Sequence, residues 1–197
     1  MPLLDELGRL DRAVYGAVAS TPTPHLDGAM RRLSAAADYS RLSLGASVIL
    51  AVAFGARGRR AAASGLVSVG ATAAVVNSVV KLAGRRHRPD RAAAEVPPAR
   101  QVRMPASRSF PSGHTAAAVA FATGVGRVMP LAGLPLHALA AAVGYSRVHT
   151  GVHYPGDVLA GAVLGAMIAD LSAGRAPGLG RAGRARLRGQ ATATDPA

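Results

Sequence analysis

The chain contains no cysteine and no tryptophan, and of its 23 Lys and Arg side chains only Lys81 is a lysine. Without cysteine, neither a disulfide framework nor a thiolate metal site can form. Aromatic side chains are scarce, three Phe and four Tyr, while half of the 197 residues are hydrophobic. No recognised nucleic-acid-binding motif is present. The net charge of +13 therefore points away from nucleic acid and toward an anionic membrane surface or an anionic substrate. The opening MPLLDELGRLDR carries acids and lacks a basic region followed by an apolar run, so no secretory signal is expected. Carboxylates are also thinly spread, with none between Glu95 and Asp157.

The hydrophobic residues are grouped. Leu3, Leu7, Leu10, Val14 and Val18 recur at spacings of three and four, which predicts an amphipathic helix lying on a membrane surface or on the rest of the protein. Thr21 to Pro24 (TPTP) ends it, and a second short helix is expected over Leu26 to Ala37. Five apolar stretches follow, at 42–56, 63–80, 114–129, 131–146 and 158–173. Each approaches the roughly 17–25 residues of a spanning helix, several at the short end. Gly45, Ala46, Gly70, Ala71, Gly161 and Gly165 would allow close packing in lipid. The fold expected is an all-α integral membrane bundle of about five spanning helices. It divides into N-terminal helices (1–40), a membrane domain (41–173) and a basic, disordered tail (174–197). Arg57, Arg59, Arg60, Arg127 and the arginines of the tail fall on one side of such a bundle, the cytoplasmic side by the positive-inside rule. The stretches 81–112 and 147–157 then face outward.

Three short segments carry chemistry. Lys81 and Arg88 are seven residues apart, one helix face, before Pro89. Phe110-Pro111-Ser112-Gly113-His114 opens the third stretch with residues suited to a helix start, whose free N–H groups make an anion site. Gly144 to Gly161 contains Ser146, Arg147, His149, His153 and Asp157. An acid four residues after a histidine can fix its tautomer, and an arginine beside them suits an anionic ligand. Taken singly, each has an ordinary reading. Lys81 and Arg88 could be interfacial anchors, Ser112-Gly113 a plain helix cap, and His114 a core histidine. His153 and Asp157 could be a structural pair, or part of a metal site with His149. His87, His137 and His149 keep the ordinary reading, though His149 could line the pocket and Arg85 and Arg86 could attract an anionic substrate; the segment Asp38-Tyr39-Ser40 receives no role.

Taken together, Lys81-x6-Arg88-Pro89, Pro111-Ser112-Gly113-His114 and Ser146-Arg147-x5-His153-x3-Asp157 match all three signature motifs of the type 2 phosphatidic acid phosphatase (PAP2) superfamily, which also contains vanadium haloperoxidases. The resemblance runs from about residue 63 to 173, without departure at a motif position. It implies a lipid phosphate phosphatase that needs no metal or other cofactor. His153 would be the nucleophile, Asp157 its orienting acid and His114 the general acid and base. Lys81, Arg88, Ser112, Gly113 and Arg147 would bind phosphate. The implied partners are a lipid phosphate substrate and the membrane, with no nucleic acid; oligomeric state stays open. The implied location is a bacterial plasma membrane, with the site on its outer face. Phosphatidic acid, phosphatidylglycerol phosphate and polyprenyl phosphates or diphosphates are candidate substrates. The Ala- and Arg-rich composition looks actinobacterial and adds a decaprenyl-phosphoryl sugar phosphate to them. A lipid-phosphate binder without turnover and a vanadate-dependent haloperoxidase are the alternatives.

Overall fold

The computed structural model describes residues 2–76, 78 and 86–173. Lys81 and the tail from residue 174 lie outside these. The described residues form seven α-helices and no strand: α1 (Pro2–Ser20), α2 (Pro24–Ala36), α3 (Arg41–Ala53), α4 (Gly55–Val75), α5 (Gly113–Val128), α6 (Pro130–His149) and α7 (Pro155–Ala173). Single 3-10 turns lie at Asp38–Ser40 and Pro98–Arg100. The five apolar stretches map onto α3 to α7. The boundary between the first two sits earlier than the arginines suggest. Phe54 ends α3, Gly55 takes a positive φ of 53°, and Arg57, Arg59 and Arg60 belong to the opening turns of α4.

Helix α5 is the hub, packed against α4, α6 and α7. Leu50, Ala61, Val69, Phe121, Val125 and Met129 form the apolar core between α3, α4 and α5. Elsewhere the backbones themselves meet. A Cβ added to Gly161 would stand 2.5 Å from the Ser112 carbonyl oxygen, and one at Gly165 would collide with the carbonyl of Ala116. Gly45 and Gly70, expected to do the same, face open space. Gly65 and Gly124 fill that role between α4 and α5, where a Cβ would come within 2.7 Å of Phe121 and of Ser68 respectively.

Around that core, hydroxyl groups line the helix seams while several large apolar side chains face outward. Ser43, Ser47, Ser64, Ser68, Thr72, Thr115 and Ser146 are buried. Val48, Ile49, Val52, Leu131, Leu134 and, along one face of α7, Leu159, Val163, Met167 and Leu171 are exposed. Outward apolar stripes with hydroxyl-rich seams suit a hydrocarbon surround. Among the described residues one helix is long and apolar enough by itself to cross a bilayer, α7 over Pro155–Ser172 with a mean hydropathy of 1.3. With 13 residues, α3 reaches only about 20 Å at about 1.5 Å per residue. Helix length and composition thus support one crossing, short of the five expected.

Helices α1 and α2 lie on the end of the bundle that holds the site. Leu3, Leu7, Leu10 and Val14 of α1 point outward, whereas Tyr15 and Ala19 are buried against Val96 and Val148. Val18 packs on that cluster, and Leu7, Leu10 and Val14 line a cleft with Phe110 and Leu159, so the amphipathic stripe of α1 lies partly over the rest of the protein. One guanidinium clasps this end. Arg100, 1% exposed, donates to the carbonyls of Val18, Ala19 and Thr21, to Thr23 Oγ1 and to Asp27 Oδ1, at 2.6–3.2 Å.

Candidate active site

The end of α6 is built to turn back on itself. Gly151, with φ of 69°, follows the helix. Val152 N–H reaches back to the Arg147 carbonyl at 3.0 Å and Gly151 N–H to that of Val148 at 2.9 Å, the pattern of a left-handed helix end. A side chain at Gly151 would meet Arg91 and Tyr15 at 3.0–3.1 Å. The turn aims His153 back over its own helix, where its N–H also bonds the Arg147 carbonyl at 3.2 Å. Helix α7 then starts at Pro155 and brings in Asp157. The Asp157 carbonyl accepts the Ser112 N–H at 2.9 Å, tying the start of α7 to the start of α5. Ser112 caps α5, its Oγ accepting from Thr115 N.

His153 is 2% exposed and Asp157 fully buried. Asp157 Oδ2 lies 3.5 Å from His153 Nδ1 and accepts Ser109 Oγ–H at 2.5 Å and Tyr154 N–H at 2.9 Å. Its Oδ1 accepts Arg86 at 3.1 Å. On the opposite edge of the ring, Arg88 NH1 donates toward His153 Nε2 at 3.3 Å. The arrangement keeps the proton on Nδ1 and the lone pair on Nε2. Burial, chiefly, pushes the His153 pKa down to about 4; the Asp157 hydrogen bond opposes this, and the Arg88 and Arg147 charges reinforce it. At neutral pH the ring is uncharged.

Arg88 sits in the non-helical segment 86–90, and so does not share a helix face with a residue seven positions earlier. Its guanidinium is held by the carbonyls of Ser107, Arg108 and Val152. Arg147, 1% exposed, donates to the carbonyl and hydroxyl of Ser34 at 3.1 and 2.7 Å, while its Nε is buried with no partner among the described residues. His114, on the first turn of α5, donates from Nε2 to Asp38 Oδ1 at 2.8 Å. It borders a cavity of about 210 Å³ together with Tyr39, Ser40, Thr72, Ala73 and Gly113. His153, Asp157, Arg88, Arg147, His114, Ser112 and Gly113 thus converge where α5, α6 and α7 meet.

Four contributors were not singled out in the sequence. Ser109 bridges Asp157 and His153, Asp38 meets His114, and Ser34 holds Arg147. Asp11 of α1 pairs with Arg86 at 2.5 Å and accepts the Gly156 N–H at 2.7 Å. No local signal marks them; only Ser109 lies near a motif. Arg86 is occupied by Asp11 and Asp157, leaving its charge engaged inside the protein. His149 belongs elsewhere, with Nε2 on Asp27 at 3.1 Å, in the buried network of Arg100. Burial would raise the Asp27 pKa, but Thr23, Arg100 and His149 together hold it below the usual carboxylate range. Each of the three site-side histidines therefore has its own aspartate. Among the described residues no group of three or more His, Cys, Asp or Glu is placed to hold a metal ion.

These features define a helical bundle with a cluster of histidines, arginines and aspartates at one end. The chain belongs to the PAP2 superfamily, whose family model matches residues 62–174. It is 40% identical over 103 residues to a decaprenylphosphoryl-5-phosphoribose phosphatase of Mycobacterium tuberculosis, a match covering 50% of this chain and 54% of that protein. The chain thus spans about half the length of that curated relative. A lipid A 1-phosphatase of Rhizobium johnstonii is 40% identical over 68 residues, 34% of this chain and 28% of that protein. Among solved structures, a transmembrane PAP2-type phosphatidylglycerolphosphate phosphatase of Bacillus subtilis superimposes with a TM-score of 0.65 and 26% identity, covering 86% of this chain and 85% of the other. LpxE of Aquifex aeolicus has the same fold, with a TM-score of 0.67 and 24% identity over 83% of this chain and 94% of its own.

Proposed function

We propose that this protein is a metal-independent lipid phosphate phosphatase that removes phosphate from a phosphomonoester or diphosphate of a membrane lipid. The observation that carries the reading is the buried Arg147 Nε, without a partner among the described residues, together with a neutral His153 whose Nε2 lone pair faces Arg88. Buried donors without acceptors are costly, and a phosphate oxygen would supply the missing acceptor. In the reaction, His153 Nε2 attacks phosphorus and the bond from phosphorus to the lipid oxygen breaks, its electron pair leaving with that oxygen. His114 gives the oxygen a proton, releasing the alcohol. A water then loses a proton to His114 and attacks the phosphohistidine, the P–N bond breaks, and phosphate leaves with His153 restored. Arg88, Arg147, the N-terminal end of α5 at Ser112 and Gly113, and Lys81 would hold the equatorial oxygens, in a reaction that depends on positioning and charge. Asp157 would orient His153 and stabilise its charged form.

The relative that acts on decaprenylphosphoryl-5-phosphoribose supports a polyprenyl-linked substrate in particular. The outward apolar surfaces of α3 and α7 support a bacterial plasma-membrane location, and the arginine distribution supports a site on the outer face.

The test is phosphate release by detergent-purified protein in EDTA. The substrates are phosphatidic acid, phosphatidylglycerol phosphate, and a polyprenyl phosphate and diphosphate, with His153→Ala alongside. EDTA-resistant release that disappears in His153→Ala is expected. Release that survives the substitution would refute the phosphohistidine route.

A further inference from the structure

We propose that Asp38, 76 residues distant from His114 in the chain, is a positioning residue for proton delivery to the leaving group. This rests on the phosphatase reading above. Asp38 Oδ1 accepts His114 Nε2–H at 2.8 Å, so one ring nitrogen is committed to the carboxylate. The other, Nδ1, has no partner among the described residues and is the nitrogen left to meet a substrate oxygen. The same carboxylate lies 3.8 Å from Arg147 Nη1, next to a cation of the proposed phosphate site. A carboxylate on the far nitrogen fixes an imidazole's tautomer, holds its plane and stabilises the cation that donates the proton. The pair repeats, around His114, the relation of Asp157 to His153.

Two further observations place the leaving group here. The cavity of about 210 Å³ that His114 borders is walled by Tyr39 and Ser40, the residues that follow Asp38, and by Thr72 and Ala73 of α4. Thr72 Oγ1 is buried there without a partner among the described residues, a hydroxyl that could meet the alcohol end of a departing lipid. The turn itself is held against local preference. Tyr39 has φ 55°, ψ 29° and Ser40 has φ 56°, ψ 23°, consecutive left-handed residues neither of which is glycine. Such strain persists only where surrounding structure enforces it. Here it delivers the carboxylate to His114.

A positioning role in proton transfer has a signature that a structural role lacks. An alkoxide leaving group needs the proton, whereas p-nitrophenolate does not. Dodecyl phosphate and p-nitrophenyl phosphate are to be compared with detergent-purified full-length protein, reading kcat/KM, which covers the steps through loss of the leaving group. In Asp38→Asn, kcat/KM for dodecyl phosphate should fall about 10- to 100-fold, part of the roughly 10²–10⁴ that a positioned proton donor supplies, with less than about threefold loss for p-nitrophenyl phosphate. Asp38→Asn combined with His114→Ala should be no worse on dodecyl phosphate than His114→Ala alone. Equal losses on both substrates, or losses that multiply in the double variant, would overturn the assignment while leaving the phosphatase reading intact. Higher activity in Asp38→Asn would also overturn it, revealing a carboxylate that competes for the anion site. A wild-type protein that hydrolyses neither probe nor any lipid of the panel would remove the phosphatase reading and this inference with it.

Discussion

Replacing Asp157 by Asn tests how much of the proposed catalysis depends on one buried charge. The side chain is fully buried and receives four groups: Ser109 Oγ and Tyr154 N–H on Oδ2, with His153 Nδ1 at 3.5 Å, and Arg86 on Oδ1. Asparagine fills the same volume but must turn its NH2 toward one set of donors. Facing Tyr154 N–H it would oppose a fixed backbone donor. Turned the other way it faces Arg86, which keeps its 2.5 Å pair with Asp11. The second orientation costs less, so the fold should survive, and His153 keeps an acceptor but loses the negative charge beside it. Stabilisation of the positive charge that develops on the ring during phosphoryl transfer is what disappears. By comparison with a carboxylate-to-amide change behind other catalytic imidazoles, kcat should fall about 10²- to 10⁴-fold, or about 3–5 kcal/mol in the barrier. Phosphate release in EDTA measures kcat, and thermal unfolding in the same detergent checks that the protein is intact. A folded Asp157→Asn within about threefold of wild type, well under 1 kcal/mol, would refute the reasoning.

Three other outcomes follow from the structure. With His153 pushed down to about 4 from an ordinary 6.5, kcat/KM should fall only as pH drops through about 4, after correction for the substrate's second phosphate ionisation near about 6; a limb near 6.5 that moves with His153 would refute the neutral, buried nucleophile. The same depression means that the unfolded chain binds more protons between about 4 and 6.5, so the stability His153 contributes above that window should be lost as pH falls through it. Arg100→Ala should leave the 8%-exposed Asp27 carboxylate with only Thr23 and His149 and remove the donor from three backbone carbonyls, costing about 3–5 kcal/mol and weakening the seat of α2, whose Ser34 holds Arg147. A fall in the detergent unfolding midpoint together with reduced activity is expected, and an unchanged midpoint would show that the clasp is not stabilising.

Much of the site was legible because its signals are local. His153 and Asp157 are four residues apart, and Ser112 and Gly113 adjoin His114. Apolar stretches located α3 to α7 for the same reason, since hydrophobic periodicity is a property of neighbouring residues. The number of crossings was less legible, because Ala- and Gly-rich helices satisfy a short, mildly apolar pattern that a bilayer span and a buried helix share. Small residues gave opposite results for a related reason. Gly161 and Gly165 meet the backbone of α5, while Gly45 and Gly70 face outward, and nothing along the chain distinguishes the two pairs.

The linear order of residues by itself determined an all-α chain, membership of the PAP2 superfamily, and the identity of the histidines, arginines and aspartate grouped around Gly113 and Gly151. Tertiary structure alone decided the distant partners of those residues. Asp38 reaches His114 across 76 positions, Asp27 reaches His149 across 122, and Ser34 reaches Arg147 across 113. Hydrogen bonds over such separations depend on how α1 and α2 fold back over the end of the bundle. That docking follows from packing and burial summed over the whole chain, so no short segment encodes it.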